Sequence, residues 1–212
     1  MNFDIICFDC DSTLSKIEGI DELAKLVGLG DELAELTNLA MNGVVPLEAV
    51  YEKRLALIQP KQSDIDAIAQ QYIAEMVDGV TEVFNILSEH GKEIHIISGG
   101  LRQAILPLAA LLNVPEQRVH AVNIYFNEDG SYQDYERSSP LARTGGKADI
   151  VSQIKKEYSI AVIGDGKTDM EAKQAGAFVI GFGGVVDRAV VRELADVFVA
   201  ETHLTAILTH VL

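Results

Sequence analysis

Short apolar runs alternate with helical periodicity along most of this chain. Runs of strand length occur at 3–8, 94–97, 119–124, 160–163, 178–180 and 197–199. Between several of these runs, apolar residues recur at the three- and four-residue spacing of amphipathic helices, as at Val80, Val83, Phe84 and Leu87. This alternation predicts an α/β fold with a mainly parallel sheet and helices on both of its faces.

One connection is much longer than a single crossover helix requires. Between residue 14 and the run at 94–97, apolar residues at helical spacing indicate several helices rather than one. We therefore predict a small helical cap at 15–75, inserted after the first strand, and a core made of 1–14 and 76–212. Such a cap would close over the carboxyl edge of the sheet and exclude water from it.

Two local signals add detail to this architecture. Residues 125–132 place Asp-Gly between strand-forming residues, which predicts a β-hairpin. Pro107 lies inside the helical pattern at 101–112, where it either kinks the helix or delays its start. The pattern does not decide between these alternatives.

Composition excludes several classes of function. The chain has 212 residues, of which 48% are hydrophobic, so disorder is not expected. A formal net charge of −15 argues against binding to nucleic acids or anionic membranes, which need basic patches. We find no apolar run of transmembrane length and no signal peptide, and we expect a cytoplasmic protein.

The two cysteines, Cys7 and Cys10, have the spacing of a redox pair or of half a zinc site. No second cysteine pair accompanies them. We favour a packing role for both, in a reducing compartment.

Acidic residues follow two of the predicted strands. Asp9 and Asp11 come directly after the first strand, and Asp165 and Asp169 follow the strand at 160–163. Because open α/β sheets bind ligands at the carboxyl ends of their strands, these carboxylates are candidates for chemistry there. Two acids flanked by glycines, as at 164–169, suggest a site for a hard cation such as Mg²⁺.

Three further features could complete an anion site. Ser-Gly-Gly at 98–100 joins a strand to a helix, which suits a phosphate cradle. Lys147 opens another helix, where a solvated surface charge is the commoner interpretation and a phosphate counter-ion the alternative. Arg54 shares an apolar helical stripe with Val50. Periodicity favours a salt bridge, or a guanidinium group that reaches the solvent, over binding of a substrate carboxylate.

Taken in order, the four segments resemble the four motifs of the haloacid dehalogenase superfamily: Asp-x-Asp-Ser-Thr, Ser-Gly-Gly, Gly-Gly-Lys and Gly-Asp-Gly-x-Thr-Asp. Segments 18–24, 54–60 and 181–184 are further similar to the eukaryotic-type phosphoserine phosphatase family. The resemblance covers nearly the whole chain, with no regulatory domain appended. It implies a Rossmann-like three-layer α/β/α core with a helical cap, Mg²⁺ dependence, and hydrolysis of O-phospho-L-serine, the last step of serine biosynthesis.

The resemblance also implies a role for each matching residue. Asp9 would be the nucleophile that forms an aspartyl-phosphate, Asp11 the acid and base, and Lys147 the cation that neutralises nucleophile and phosphate. The resemblance reverses the interpretation of Arg54 that periodicity favoured. Arg54 would bind the substrate carboxylate, and Glu18 would bind the substrate ammonium group. The metal would be held by Asp9, Asp11, Asp165 and Asp169, and the substrate would contact Glu18, Met41, Arg54, Ser98, Gly99, Gly100 and Thr168.

Two departures from the family's pattern concern the substrate. Asn42 stands where the family usually has glycine, and Leu47 where it often has phenylalanine. We expect both near the substrate pocket, so a phosphatase or phosphotransferase acting on another small phosphorylated amino acid or alcohol is the alternative. Two other classes of protein fit less well. A dinucleotide-binding module would need a third glycine in its fingerprint, which this chain lacks, and a phospho-accepting receiver would have no cap. We expect the protein to be a monomer or a homodimer, and its partner to be a small phosphomonoester substrate.

Overall fold

The fold is described by a computed structural model that covers residues 3–154 and 157–212. Six strands form one parallel sheet and two form an antiparallel hairpin. The α/β class predicted from the sequence is confirmed. The strands are β1 (Ile5–Phe8), β2 (Glu93–Leu101), β3 (Val119–Val122), β4 (Ile124–Phe126), β5 (Tyr132–Tyr135), β6 (Ile160–Gly164), β7 (Phe178–Phe182) and β8 (Val197–Val199).

The order of strands in the large sheet is β3-β2-β1-β6-β7-β8. The chain therefore builds outward in one direction from β1 to β3 and in the other direction from β6 to β8. Parallel crossovers are right-handed. The crossover helices within the half β1 to β3 therefore lie on one face of the sheet, and those within the half β6 to β8 lie on the other face. The strand order reverses between β1 and β6, and ligands of open α/β sheets bind at such a point.

Ten α-helices accompany the strands in the described residues. They are α1 (Gly19–Leu26), α2 (Gly30–Met41), α3 (Leu47–Ile58), α4 (Gln62–Ala74), α5 (Val80–Glu89), α6 (Arg102–Leu111), α7 (Gly146–Gln153), α8 (Lys167–Met170), α9 (Ala189–Leu194) and α10 (Leu208–Val211). None of them is long and apolar enough to cross a membrane.

Helices α1–α4 lie between β1 and α5, in the stretch where we predicted a cap. The two ends of this stretch run side by side: the Lys16 N–H donates to the Glu75 carbonyl (2.8 Å) and the Val77 N–H to the Leu14 carbonyl (2.9 Å). The pairing lies where we divided cap from core, at 15–75 against 1–14 and 76–212. The division into two domains itself stays a prediction.

The cap helices pack onto the rest of the protein. Helix α4 packs against α6, and the Gln62 N–H at the start of α4 donates to the Gly130 carbonyl in the β4–β5 turn (2.9 Å). Tyr51 of α3 donates its hydroxyl to the Gly99 carbonyl at the end of β2 (2.9 Å). These contacts describe a closed cap.

Two details differ from the sequence-based expectations or decide between them. Helix α6 begins at Arg102, so Pro107 lies within it and does not delay its start. Strand β2 continues through Leu101, whereas we expected it to end before Ser98. Its pairing with β3 shifts register between Ile97 and Leu101, because the glycines there let the backbone depart from regular strand geometry.

Packing of α5 onto the sheet should contribute strongly to stability. Leu87 of α5 is fully buried, whereas Leu111 at the end of α6 is 53% exposed. We expect Leu87→Ala to lower the free energy of unfolding by about 2–5 kcal/mol, because it leaves a cavity. The matched change Leu111→Ala should stay within about 0.5 kcal/mol. Urea unfolding of both variants measures this, and equal losses would contradict the assignment of the core.

Candidate active site

The site lies at the carboxyl ends of β1 and β6. Asp9 follows β1 directly, and its N–H donates to the Ile163 carbonyl of β6 (2.9 Å). The Cys10 N–H donates to Asp9 Oδ1 (2.7 Å), which fixes the carboxylate at the start of the next loop. Asp165 follows β6 in the same way. The reversal of strand order thus places acids from two motifs beside each other.

Lys147 is the cation nearest to Asp9. It comes from the first turn of α7, is 4% exposed, and places Nζ 2.6 Å from Asp9 Oδ2 and 2.6 Å from Asp169 Oδ1. Burial by itself would lower the pKa of Lys147, but the carboxylates of Asp169 and Asp9 outweigh it and hold the pKa above its ordinary value. Lys147 is therefore charged, and the interpretation as a solvated surface lysine is wrong.

Asp9, Asp165 and Asp169 form a buried cluster whose ligand oxygens lie within 4.8 Å of one another. Burial, and then the charge of Asp9, raise the pKa of Asp165 to about 7 and raise that of Asp169 well above its usual range. Carboxylates so close together need a proton or a cation between them.

The residues of this cluster fit a divalent metal ion. Asp11, which lies beside Asp9, brings the carboxylates of the site to four, but only Lys147 and Arg188 pair with them among the described residues. This leaves a formal excess of two negative charges. The donors are all oxygens, which suits a hard cation. Arg188 Nε lies 3.4 Å from Asp165 Oδ2, and the Thr13 hydroxyl donates to Asp165 Oδ1 (3.3 Å).

Asp11 lies beside Asp9 but in a different environment. Its Oδ1 accepts hydrogen bonds from the Gly19 N–H (2.7 Å) and the Tyr72 hydroxyl (2.6 Å), while its Oδ2 lies 3.4 Å from the Ser98 hydroxyl. Burial, followed by the charge of Asp9, raises the pKa of Asp11 to about 6. A carboxyl group with this pKa can give and take a proton near neutral pH.

Residues 98–100 border the same pocket from the end of β2. The Ser98 hydroxyl accepts a hydrogen bond from the Gly100 N–H (3.0 Å). A Cβ atom on Gly100 would lie 2.8 Å from Asp11 Oδ2, so only glycine allows the backbone to approach the acid this closely. Ser98, Gly99 and Gly100 all line the pocket, although they belong to the irregular end of a strand rather than to a turn.

The cap contributes Glu18 and Arg54 to the opposite wall of the pocket. Glu18 precedes α1, and its Oε1 accepts from the Ser12 hydroxyl (2.7 Å). Burial, with the charge of Asp11, raises the pKa of Glu18 well above its usual value. Arg54 is 4% exposed, and its Nη1 donates to the Thr37 hydroxyl (2.9 Å).

The surroundings of Arg54 leave part of its guanidinium group free. Its Nε is buried and has no hydrogen-bond partner within residues 3–154 and 157–212. The nearby acid Asp21 is linked to Arg54 through the Thr37 hydroxyl, which donates to Asp21 Oδ1 (2.6 Å). The salt bridge that periodicity favoured is therefore not a direct one. An orphaned N–H in a buried pocket is suited to an anionic ligand.

The remaining predicted residues fall in different places. Met41 and Thr168 line the pocket. Leu47 is buried and lines it too, but Asn42 is exposed and donates its side-chain N–H to the Asn38 carbonyl (2.8 Å). Of the two departures from the family's pattern, Leu47 thus lines the pocket, whereas Asn42 follows the lining residue Met41 without lining the pocket itself.

Several polar residues of the site were missed from the sequence: Thr37, Tyr51, Tyr72 and Arg188. Tyr72 has helical spacing with Ile65 and Ile68, which identifies it as a core residue and hides its hydroxyl contact. Arg188 is an isolated cation with no periodic signal. The two cysteines are free and buried, and burial raises their pKa far above the range of reactive thiols, as expected for packing residues.

Several known proteins are similar to this chain in sequence and in fold. A profile of the haloacid dehalogenase-like hydrolase family matches residues 3–176. The chain is 37% identical over 201 residues to the phosphoserine phosphatases of Bos taurus and Homo sapiens, covering 93% of this chain and 89% of each relative. A phosphoserine phosphohydrolase-like protein from Francisella tularensis has a TM-score of 0.88 at 28% identity, over 98% of this chain and 99% of that one. The family model and these relatives show that this chain belongs to the haloacid dehalogenase-like hydrolases.

Proposed function

We propose that this protein is a Mg²⁺-dependent phosphatase that hydrolyses O-phospho-L-serine to L-serine and phosphate. The observation that carries the proposal is the contact of Asp9 with Lys147 beside an acidic cluster that needs a cation. Relatives named phosphoserine phosphatase, 37% identical over most of the chain, support the choice of substrate. Production of serine would place the enzyme in serine biosynthesis.

The reaction would proceed in two displacements at phosphorus. A carboxylate oxygen of Asp9 attacks the phosphorus, and the bond from phosphorus to the serine oxygen breaks as Asp11 gives its proton to that oxygen. A water molecule then attacks the aspartyl-phosphate and loses its proton to Asp11. Phosphate leaves, and Asp9 and Asp11 return to their starting states.

The other residues would hold the phosphoryl group and balance its charge. Lys147, Ser98 and the backbone at Gly99 and Gly100 would bind the phosphate oxygens. A Mg²⁺ ion held by Asp9, the Asp11 carbonyl and Asp165, with Asp169 in support, would supply positive charge that reduces the repulsion between carboxylate and phosphate.

The cap would recognise the amino acid part of the substrate. Glu18 would pair with the ammonium group and Arg54 with the carboxylate, using the Nε that has no partner in the described structure. Met41 and Thr168 would border the same substrate.

An alternative substrate or acceptor remains a prediction alongside this one. Leu47, which lines the pocket where the family often has phenylalanine, bears on the choice of leaving group. A phosphatase or phosphotransferase acting on another small phosphorylated amino acid or alcohol would use the same residues. We further propose a cytoplasmic location, given the free cysteines; the monomer or homodimer stays a prediction.

Removal of the nucleophile should abolish turnover. We expect Asp9→Asn to lower kcat by a factor on the order of 10⁴, because an amide cannot form the phosphoenzyme. Phosphate release from O-phosphoserine measures this. The matched change Asp66→Asn, on the exposed face of α4, should leave kcat within about twofold. Near-normal turnover in Asp9→Asn would rule out the mechanism.

Removal of the metal should abolish activity reversibly. EDTA should stop turnover and Mg²⁺ should restore it, whereas Ca²⁺ should inhibit because its higher coordination number engages both oxygens of Asp9. A second readout does not need activity: Mg²⁺ at about 100 times its Kd should stabilise the fold by about 2.7 kcal/mol. Thermal unfolding of the wild type should show this shift, and Asp165→Asn should lose most of it. Full activity in EDTA would contradict the site.

Loss of Arg54 should affect only substrates that carry a carboxylate. We expect Arg54→Ala to weaken kcat/KM for O-phosphoserine by about 2–4 kcal/mol, the scale of a buried charged hydrogen bond. Arg54→Lys should also be impaired, because a lysine cannot bind a carboxylate bidentately.

Two substrates without a carboxylate are the controls for this prediction. Arg54→Ala should hardly change the rates for p-nitrophenyl phosphate or for phosphoethanolamine, which keeps the ammonium group for Glu18. An equal loss with all three substrates would mean that Arg54 serves the fold instead of the substrate.

A further inference from the structure

The two oxygens of the Asp11 carboxylate have different partners. Oδ1 receives two short hydrogen bonds, from the Gly19 N–H at 2.7 Å and from the Tyr72 hydroxyl at 2.6 Å. Oδ2 has one long contact, 3.4 Å from the Ser98 hydroxyl, and faces the pocket at the end of β2. The carboxylate is therefore held by one oxygen, and the other is available to the substrate.

Both donors to Oδ1 belong to the cap, whereas Asp11 belongs to the loop after β1. Gly19 is the first residue of α1, and Tyr72 lies in the last turns of α4, where it is 1% exposed. The two segments fit tightly together: a Cβ atom on Gly19 would lie 2.1 Å from the Tyr72 hydroxyl oxygen. The absence of a side chain on Gly19 is thus what allows the phenol to reach Asp11.

We propose that Tyr72 is a positioning residue that, with the Gly19 N–H, fixes which oxygen of Asp11 carries the catalytic proton when the cap is closed. The inference rests on the proposed function. One N–H group and one O–H group already donate to Oδ1, so a proton on that oxygen would collide with them, and the proton resides on Oδ2. From Oδ2 it passes to the serine oxygen as the bond to phosphorus breaks, and Oδ2 later takes a proton from the attacking water. Tyr72 keeps its own proton throughout.

The proposal makes a prediction about leaving groups that a merely structural role does not. A serine alkoxide is a poor leaving group and needs the proton, whereas p-nitrophenolate leaves without one. We expect Tyr72→Phe, which retains the buried ring, to slow phosphoenzyme formation from O-phosphoserine by about 10- to 100-fold, part of the usual contribution of acid–base catalysis. Formation from p-nitrophenyl phosphate should change by less than about threefold, and KM for O-phosphoserine should change little. Single-turnover kinetics measure the two rates separately from phosphoenzyme breakdown.

Tyr51→Phe is the matched control. Tyr51 is also a buried cap tyrosine at the pocket, and its hydroxyl also makes one hydrogen bond to the core, to the Gly99 carbonyl at 2.9 Å. It makes no hydrogen bond with Asp11, so its loss should slow both substrates by similar factors. The same uniform slowing in Tyr72→Phe, or no slowing at all, would overturn the proposal.

Two further variants separate the possible failures. Asp11→Asn should show the same dependence on leaving group as Tyr72→Phe, but more strongly. If Asp11→Asn shows it and Tyr72→Phe does not, the inference fails and the proposed function stands; if Asp11→Asn slows neither substrate, the proposed function fails. Gly19→Ala displaces the phenol while retaining the tyrosine, and should reproduce the selective loss for O-phosphoserine. If thermal unfolding shows that Tyr72→Phe is not folded, Gly19→Ala becomes the deciding variant. Uniform slowing of both substrates in Gly19→Ala would then count against the proposal.

Discussion

Buried negative charge at the junction of β1 and β6 is the constraint on which the rest of the site depends. Asp9 and Asp165 leave neighbouring strands at the same edge, and Asp169 follows one helical turn later. Burying unpaired charges costs several kcal/mol per ion, so the fold must bring cations to them. Lys147 arrives from the start of α7 and Arg188 from the residue before α9, and a divalent cation would balance what remains. The strand order and the packing of these elements thus bring two cations to the buried carboxylates.

The cap meets a second requirement, which is to exclude water from the site. It does so with hydrogen bonds across the pocket: the Tyr72 hydroxyl to Asp11, the Tyr51 hydroxyl to the Gly99 carbonyl, and Asn38 Oδ1 accepting from Arg188. Arg54, a buried cation of the cap, is held by a neutral threonine, and one of its N–H groups is unpaired in the part of the chain that the structure describes. The groups that line the pocket therefore have hydrogen-bond partners in both the cap helices and the rest of the protein.

Much of the fold and of the site could be predicted because the relevant signals are local. Alternation of apolar runs and helical stripes indicated the parallel sheet, and acids directly after strands indicated the edge of the sheet at which the carboxylates cluster. Predictions failed where a residue's surroundings come from distant segments. Lys147 resembles a surface lysine until Asp9 and Asp169 surround it.

By itself, the sequence determined the class of fold, the helical character of the stretch after the first strand and the acids at the strand ends, because periodicity and strand ends are properties of neighbouring residues. Only the tertiary structure decided which polar atom meets which. Tyr72 and Asp11 are 61 positions apart, and Thr13 and Asp165 are 152 apart. Periodicity reports which face of a helix is buried, but not what its polar atoms contact there. The order of the strands and the closure of the cap set those contacts, and they are long-range consequences of packing.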